Sequence, residues 1–118
     1  MDVAEKEVMR TEILEICEQS VPIGADERVI RAALRKSGYD ATEKEVQEAL
    51  YYLQAKGLVE LVAAENRALG IRRTVARITA AGMDCLEGNV EVSGLNVGGV
   101  RGWIRTGVMG RSKSSRNP

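Results

Sequence analysis

The chain has 118 residues, 44% of them hydrophobic and 29% charged, with no formal net charge. That suits one modest domain and excludes a strongly basic nucleic-acid binder, so any such binding must come from a local patch. No apolar run approaches the 18 residues that would span a membrane, and two cysteines 68 positions apart without a leader point to reduced thiols in the cytoplasm.

The elements follow in chain order. Met9, Ile13, Ile16 and Cys17 recur at spacings of three and four, which predicts a first helix from Ala4 to Gln19. Ser20 and Pro22 end it, and "PIGAD" reads as a loop whose Asp26 caps the next helix. That second helix is "ERVIRAALRKS", with Val29, Ile30, Ala33 and Leu34 inward and Arg28, Arg31, Arg35 and Lys36 around the rest. Gly38 stops it. A third helix opens at Thr42, where Thr42 and Glu45 make the Thr-x-x-Glu pattern of a capping box. Val46, Ala49, Leu50 and Leu53 form its buried face, and Gly57 ends it.

"LVELVAA" and "IRRTVARI" then read as two strands joined by "ENRALG". Thr79 caps a short fourth helix, "AAGMDCLEG", which Gly82 weakens. Beyond it the composition shifts. Six of the twelve glycines fall in residues 94–110, and "GRSKSSRNP" is polar and basic. The reading is a domain over residues 1–88 and a flexible, basic tail over residues 89–118. Residues 1–86 carry 12 basic and 15 acidic groups, residues 87–118 carry 5 and 2, so the tail is the positive end.

Helix, helix, tight turn, helix, hairpin, helix is a mainly α arrangement with a small β-hairpin, an α+β class. It is the winged helix-turn-helix order, in which three helices share a core and the hairpin forms a wing. The stretches "ERVIRAAL", "SGYDATEKEVQEALYYLQAKGLVEL" and "ARITAAGMDCLEG" resemble the small winged-helix proteins of Mu-like bacteriophages and prophages. That group carries a leading Asn/Asp-Glu-Arg-Val, a Gly-His turn, a third helix ending "Gln-Gly-Leu-Val" and then "Leu-Thr-x-x-Gly". Here Tyr39 stands where the group often has His, and the short proline-rich basic ending is missing. The resemblance spans about residues 10–90 and implies a transcriptional regulator.

On a helical wheel, Val46, Leu50 and Leu53 inward leave Lys44, Glu48, Tyr51 and Ala55 outward, with Gln47 and Gln54 on one flank and Glu45 and Tyr52 on the other. Thr42, Lys44, Gln47 and Tyr51 are therefore the candidate major-groove contacts. Glu48 opposes them, since phosphates repel it, although a carboxylate can accept from cytosine N4. The hairpin region Glu65 to Arg77 holds Arg67, Arg72, Arg73 and Arg77 against one acid. Arg67, Arg72 and Arg73 are the candidate wing contacts to backbone or minor groove, with Arg35 and Lys36 on the second helix as further phosphate contacts. In the tail, Arg111, Lys113 and Arg116 would add a non-specific arm.

The expected partner is double-stranded DNA, with a homodimer doubling the small footprint. The same surfaces also fit a protein-interaction module, in which the acidic third helix meets a basic partner. Enzyme chemistry has no support: histidine is absent, the cysteines lack a metal-ligand companion, and "NVGGVRG" lacks the Gly-Lys-Ser/Thr ending of a phosphate loop. No cofactor or metal is expected.

Overall fold

A computed structural model describes residues 1–101. The elements are α1 (Val3–Gln19), β1 (Ala25–Asp26), α2 (Glu27–Lys36), α3 (Glu43–Ala55), β2 (Val59–Asn66), β3 (Ile71–Ile78), α4 (Ala80–Leu86) and α5 (Val97–Arg101). The three strands form one antiparallel sheet in the order β1-β3-β2. The architecture is α+β. No helix among the described residues is long and apolar enough to cross a membrane.

Local chemistry fixes the helix ends. Asp2 and Glu5 cap α1 reciprocally: Glu5 N–H donates to Asp2 Oδ1 at 2.8 Å, and Asp2 N–H donates to Glu5 at 3.2 Å. Asp26 caps α2 by accepting from Val29 N–H at 2.9 Å. Thr42 and Glu45 cap α3 in the same reciprocal way, at 2.9 and 3.1 Å. These bonds hold the Glu45 carboxyl below the usual glutamate range, the bond from Thr42 backbone N–H being the first cause. At the other end of α3, Gly57 takes φ +76°, Gly57 N–H donates to Gln54 O, and Leu58 N–H donates to Leu53 O. This turn drops Leu58 into the core.

Ile13, Leu14, Ile30, Leu34, Leu50 and Leu53 fill the centre, with Cys17 and Cys85 also buried. Burial pushes the Cys17 thiol up to about 12 and raises that of Cys85. Val29 departs from its expected inward place. It is 52% exposed, because α2 is covered from the Ile30 and Leu34 side only.

Two features lie outside the sequence-based plan. The "PIGAD" loop contains β1, which pairs Ala25 with Ala76 and Asp26 with Val75. Gly24 beside it has φ +94°, and a Cβ there would sit 2.8 Å from Ala76 O, so the loop needs a glycine to reach β3. The hairpin also runs further than expected. Its register extends from Val59↔Ile78 to Asn66↔Ile71, leaving a four-residue turn, 67–70, with Glu65 opposite Arg72. Only the base of the hairpin joins the core. From Val62 outward β2 is exposed, so the hairpin projects as an arm.

The expected flexible tail from residue 89 is corrected as far as Arg101. This segment straps across α1 and α3. Tyr52 hydroxyl donates to Ser93 O at 3.2 Å, Lys56 Nζ to Ser93 Oγ at 3.1 Å, and Arg10 to Gly94 O at 3.2 Å. Asn96 N–H donates to Thr11 Oγ1 at 2.8 Å, Val97 is buried, and Arg101 forms ion pairs with Glu15 at 2.8 Å and Glu18 at 2.7 Å. Arg111, Lys113 and Arg116 lie outside the described residues.

Candidate nucleic-acid interface

The capping box and the Gly57 turn set the length of α3, and its apolar stripe sets the rotation. Val46, Ala49, Leu50 and Leu53 are all buried, as their spacing predicts. Lys44, Glu48, Tyr51 and Ala55 consequently point outward and are exposed. Thr42 is exposed too, with its hydroxyl occupied by the cap.

The two flanks of α3 meet different surroundings. On one flank Gln47 and Tyr51 face Leu61 and Thr74 of the arm and Glu27 of α2 across a narrow gap. On the other flank Glu45 and Glu48 line a cavity of about 330 Å³ with Lys6, Arg10 and Tyr52. Arg10 stacks over the Tyr52 ring, 3.7 Å from its centroid. Glu48 thus lies on the α1 side, near two cations, while the Gln47–Tyr51 flank turns toward the arm. The wheel placed Glu48 mid-face; the position of α1 decides which side it serves.

The gap beside Tyr51 adjoins a cleft of about 300 Å³ between α2, the start of α3 and β3. Arg28, Arg31, Arg72 and Arg73 line it, with Asp26, Glu27, Glu43 and Thr74. Glu27 and Thr74 border both spaces, so gap and cleft adjoin and make a two-part groove. Strand alternation explains the placement. Leu61, Thr74 and Arg72 lie on the sheet face that also carries the buried Ala76, turned toward α3. Arg73 lies on the other face, where the Asp26↔Val75 pairing sets Asp26 diagonally beside it, at 3.2 Å.

The expected arginines therefore differ in availability. Arg73 braces the α2 cap. Arg72 pairs with Glu65 at 3.9 Å with both side chains open to water, a contact of about 0–1 kcal/mol that a ligand can displace. Arg67 sits in the exposed turn at the far end of the arm. Arg35 and Lys36 are exposed in the last turn of α2, outside the groove, where they complement the helix dipole. Arg28 and Arg31 take their place in the groove wall. Their i, i+3 spacing marks a shared face, but only the packing of α2 beside β3 tells which end of the helix counts.

Glu27 Oε2 and Arg31 Nε are buried and lack hydrogen-bond partners among the described residues. No group of three or more metal-ligating side chains occurs among the described residues. Neither a scan of family models nor searches of curated proteins and of solved structures found a match for this chain.

Proposed function

We propose that this chain is a winged helix-turn-helix protein that binds double-stranded DNA as a transcriptional regulator. Three capped helices followed by the β2–β3 hairpin, with β1 between α1 and α2 completing the β1-β3-β2 sheet, support the fold assignment. The observation that carries the function is the groove. One wall is the Gln47–Tyr51 flank of α3, half-buried at Gln47 and exposed at Tyr51, and the other is the arginine-lined β3 and α2, while Glu48 lines the cavity on the α1 side. In this reading Lys44, Gln47 and Tyr51 meet base edges in the major groove, while Arg72 and Arg67 hold the flanking backbone. The resemblance to Mu-like phage and prophage proteins supports a regulator acting in the bacterial cytoplasm, and a homodimer would supply two half-sites.

Fluorescence anisotropy on a pool of duplex DNA at two salt concentrations tests this. The expected result is binding that weakens steeply with salt. An Arg67→Gln/Arg72→Gln variant should lose about tenfold in affinity and about two units of salt slope. Absence of binding at low salt would overturn the proposal.

The acidic Glu45–Glu48 flank, exposed at Glu48, favours a second reading, a docking face for a basic protein partner. There, Glu48→Lys would abolish partner capture and the arm arginines would be dispensable. DNA binding that survives Glu48→Lys and fails without the arginines separates the two.

A further inference from the structure

The four arginines of the groove are not equivalent. Arg73 is held by Asp26, Arg72 is loosely held by Glu65, and Arg28 is exposed to water. Arg31 is half-buried, its Nε is closed off from solvent without an acceptor, and no carboxylate lies within ion-pair distance of it among the described residues. A guanidinium partly removed from water is costly unless an acceptor completes it. Its natural acceptor is one turn away. Glu27 has the i, i+4 spacing that lets acid and base meet on a helix, yet its Oε2 is also buried and unpartnered. Donor and acceptor line the same cleft without bonding each other, and Glu27 also borders the gap beside Tyr51.

From this arrangement we infer that Arg31 anchors one backbone phosphodiester of the bound duplex inside the α2–β3 cleft, and that Glu27 competes with that phosphate for it. This rests on the DNA reading above. The charge of the cleft fits a single phosphodiester. Its lining carries Arg28, Arg31, Arg72 and Arg73 against Asp26, Glu27 and Glu43, an excess of one positive charge to meet one negative one. A planar guanidinium takes two phosphate oxygens side by side, and the Thr74 hydroxyl on the same wall is a further donor. Asp26 is already paired, and Glu43 lies at the start of α3, so Glu27, one turn from Arg31 on the same helix, is the carboxylate left to oppose a phosphate there.

The test combines two measurements on the full chain. Duplex anisotropy at several salt concentrations is run on wild type, Arg31→Gln, Glu27→Gln and, as a control on the opposite face of β3, Arg77→Gln. Arg31→Gln should lose about tenfold in affinity and about 0.9 of the log–log salt slope, the value for one phosphate contact. Glu27→Gln should bind about threefold tighter, and Arg77→Gln should stay within about threefold of wild type. In parallel, the NMR signal of Arg31 Nε–H in the wild-type protein should move on adding duplex DNA, and not with inorganic phosphate at the same phosphate concentration. An unmoved signal, an Arg31→Gln variant that tracks Arg77→Gln, or a Glu27→Gln variant that binds more weakly would overturn the cleft assignment while leaving DNA binding in place. A wild-type protein that binds no duplex at low salt would remove both. Should Arg31→Gln melt, Glu27→Gln and the wild-type NMR titration still decide the matter.

Discussion

The β2–β3 arm and the strap over residues 89–101 both leave the core, and they are held in opposite ways. The arm is a backbone ladder with its side chains in water beyond Ala63 and Thr74. The strap has no ladder. It is tied down by side chains of α1 and α3, by buried Val97 and by the Arg101 ion pairs. An element held by its backbone can change side chains cheaply, so its surface is free to carry recognition. An element held by side chains cannot. The strap's residues are committed to structure, and the arm's arginines are available for partners.

The contrast can be broken most forcefully at Gly94. It has φ +91°, and a Cβ there would collide with the Tyr52 hydroxyl. Gly94→Ala should cost about 2–4 kcal/mol, lowering the melting temperature by on the order of 10 °C. Hydrogen exchange should locate the damage in residues 89–101. Arg101→Gln should come next. Its side chain is 18% exposed and its carboxylate partners 26% and 32%, so solvent screening reduces the loss to about 1–2 kcal/mol by chemical denaturation.

Thr42→Ala tests the helix that stands between the two appendages. Losing the α3 cap should cost about 1 kcal/mol, read from the same denaturation curves. Arg72→Gln should be the mildest for stability, within about 0.5 kcal/mol. It should still lower duplex affinity several-fold with a smaller salt slope. A large loss of stability there would mean that the arm is held by its side chains after all.

Acid gives a further check on α3. The folded Glu45 carboxyl is depressed, so its contribution is fully present above the ordinary glutamate pKa and is lost as pH falls through the lower folded value. The stability difference between wild type and Glu45→Gln should be flat near neutrality and shrink in acid. A difference constant down to pH 3 would contradict the capping bond as the cause.

Much of α3 was legible because its determinants are local. Thr42, Glu45, Gly57 and the apolar stripe act within a turn or two of each other, and the structure has all of them as read. β1 was not legible, since a two-residue strand has no periodicity and exists only through its partner Ala76. Val29 was misplaced because a helical stripe gives the width of an apolar face, not the side from which neighbours come. The strap was read as loose because glycine richness looks like disorder, whereas Gly94 is needed for a left-handed turn pressed against Tyr52. Of the candidate site, the outward places of Lys44 and Tyr51 and the flanking place of Gln47 followed from the wheel. The groove, with Arg28 and Arg31 in place of Arg35 and Lys36, needed the position of α2 beside β3.

The two buried thiols have a practical consequence. Cys17 is fully enclosed and Cys85 is 2% exposed, and with a pKa of about 12 only roughly one Cys17 in 10⁵ is thiolate at pH 7. Maleimide reagents will find neither. A single cysteine placed at Ala55, on the exposed face of α3, would therefore accept a dye or spin label with both native cysteines in place. Distances between the labelled helix and a labelled ligand then become measurable in the otherwise natural chain.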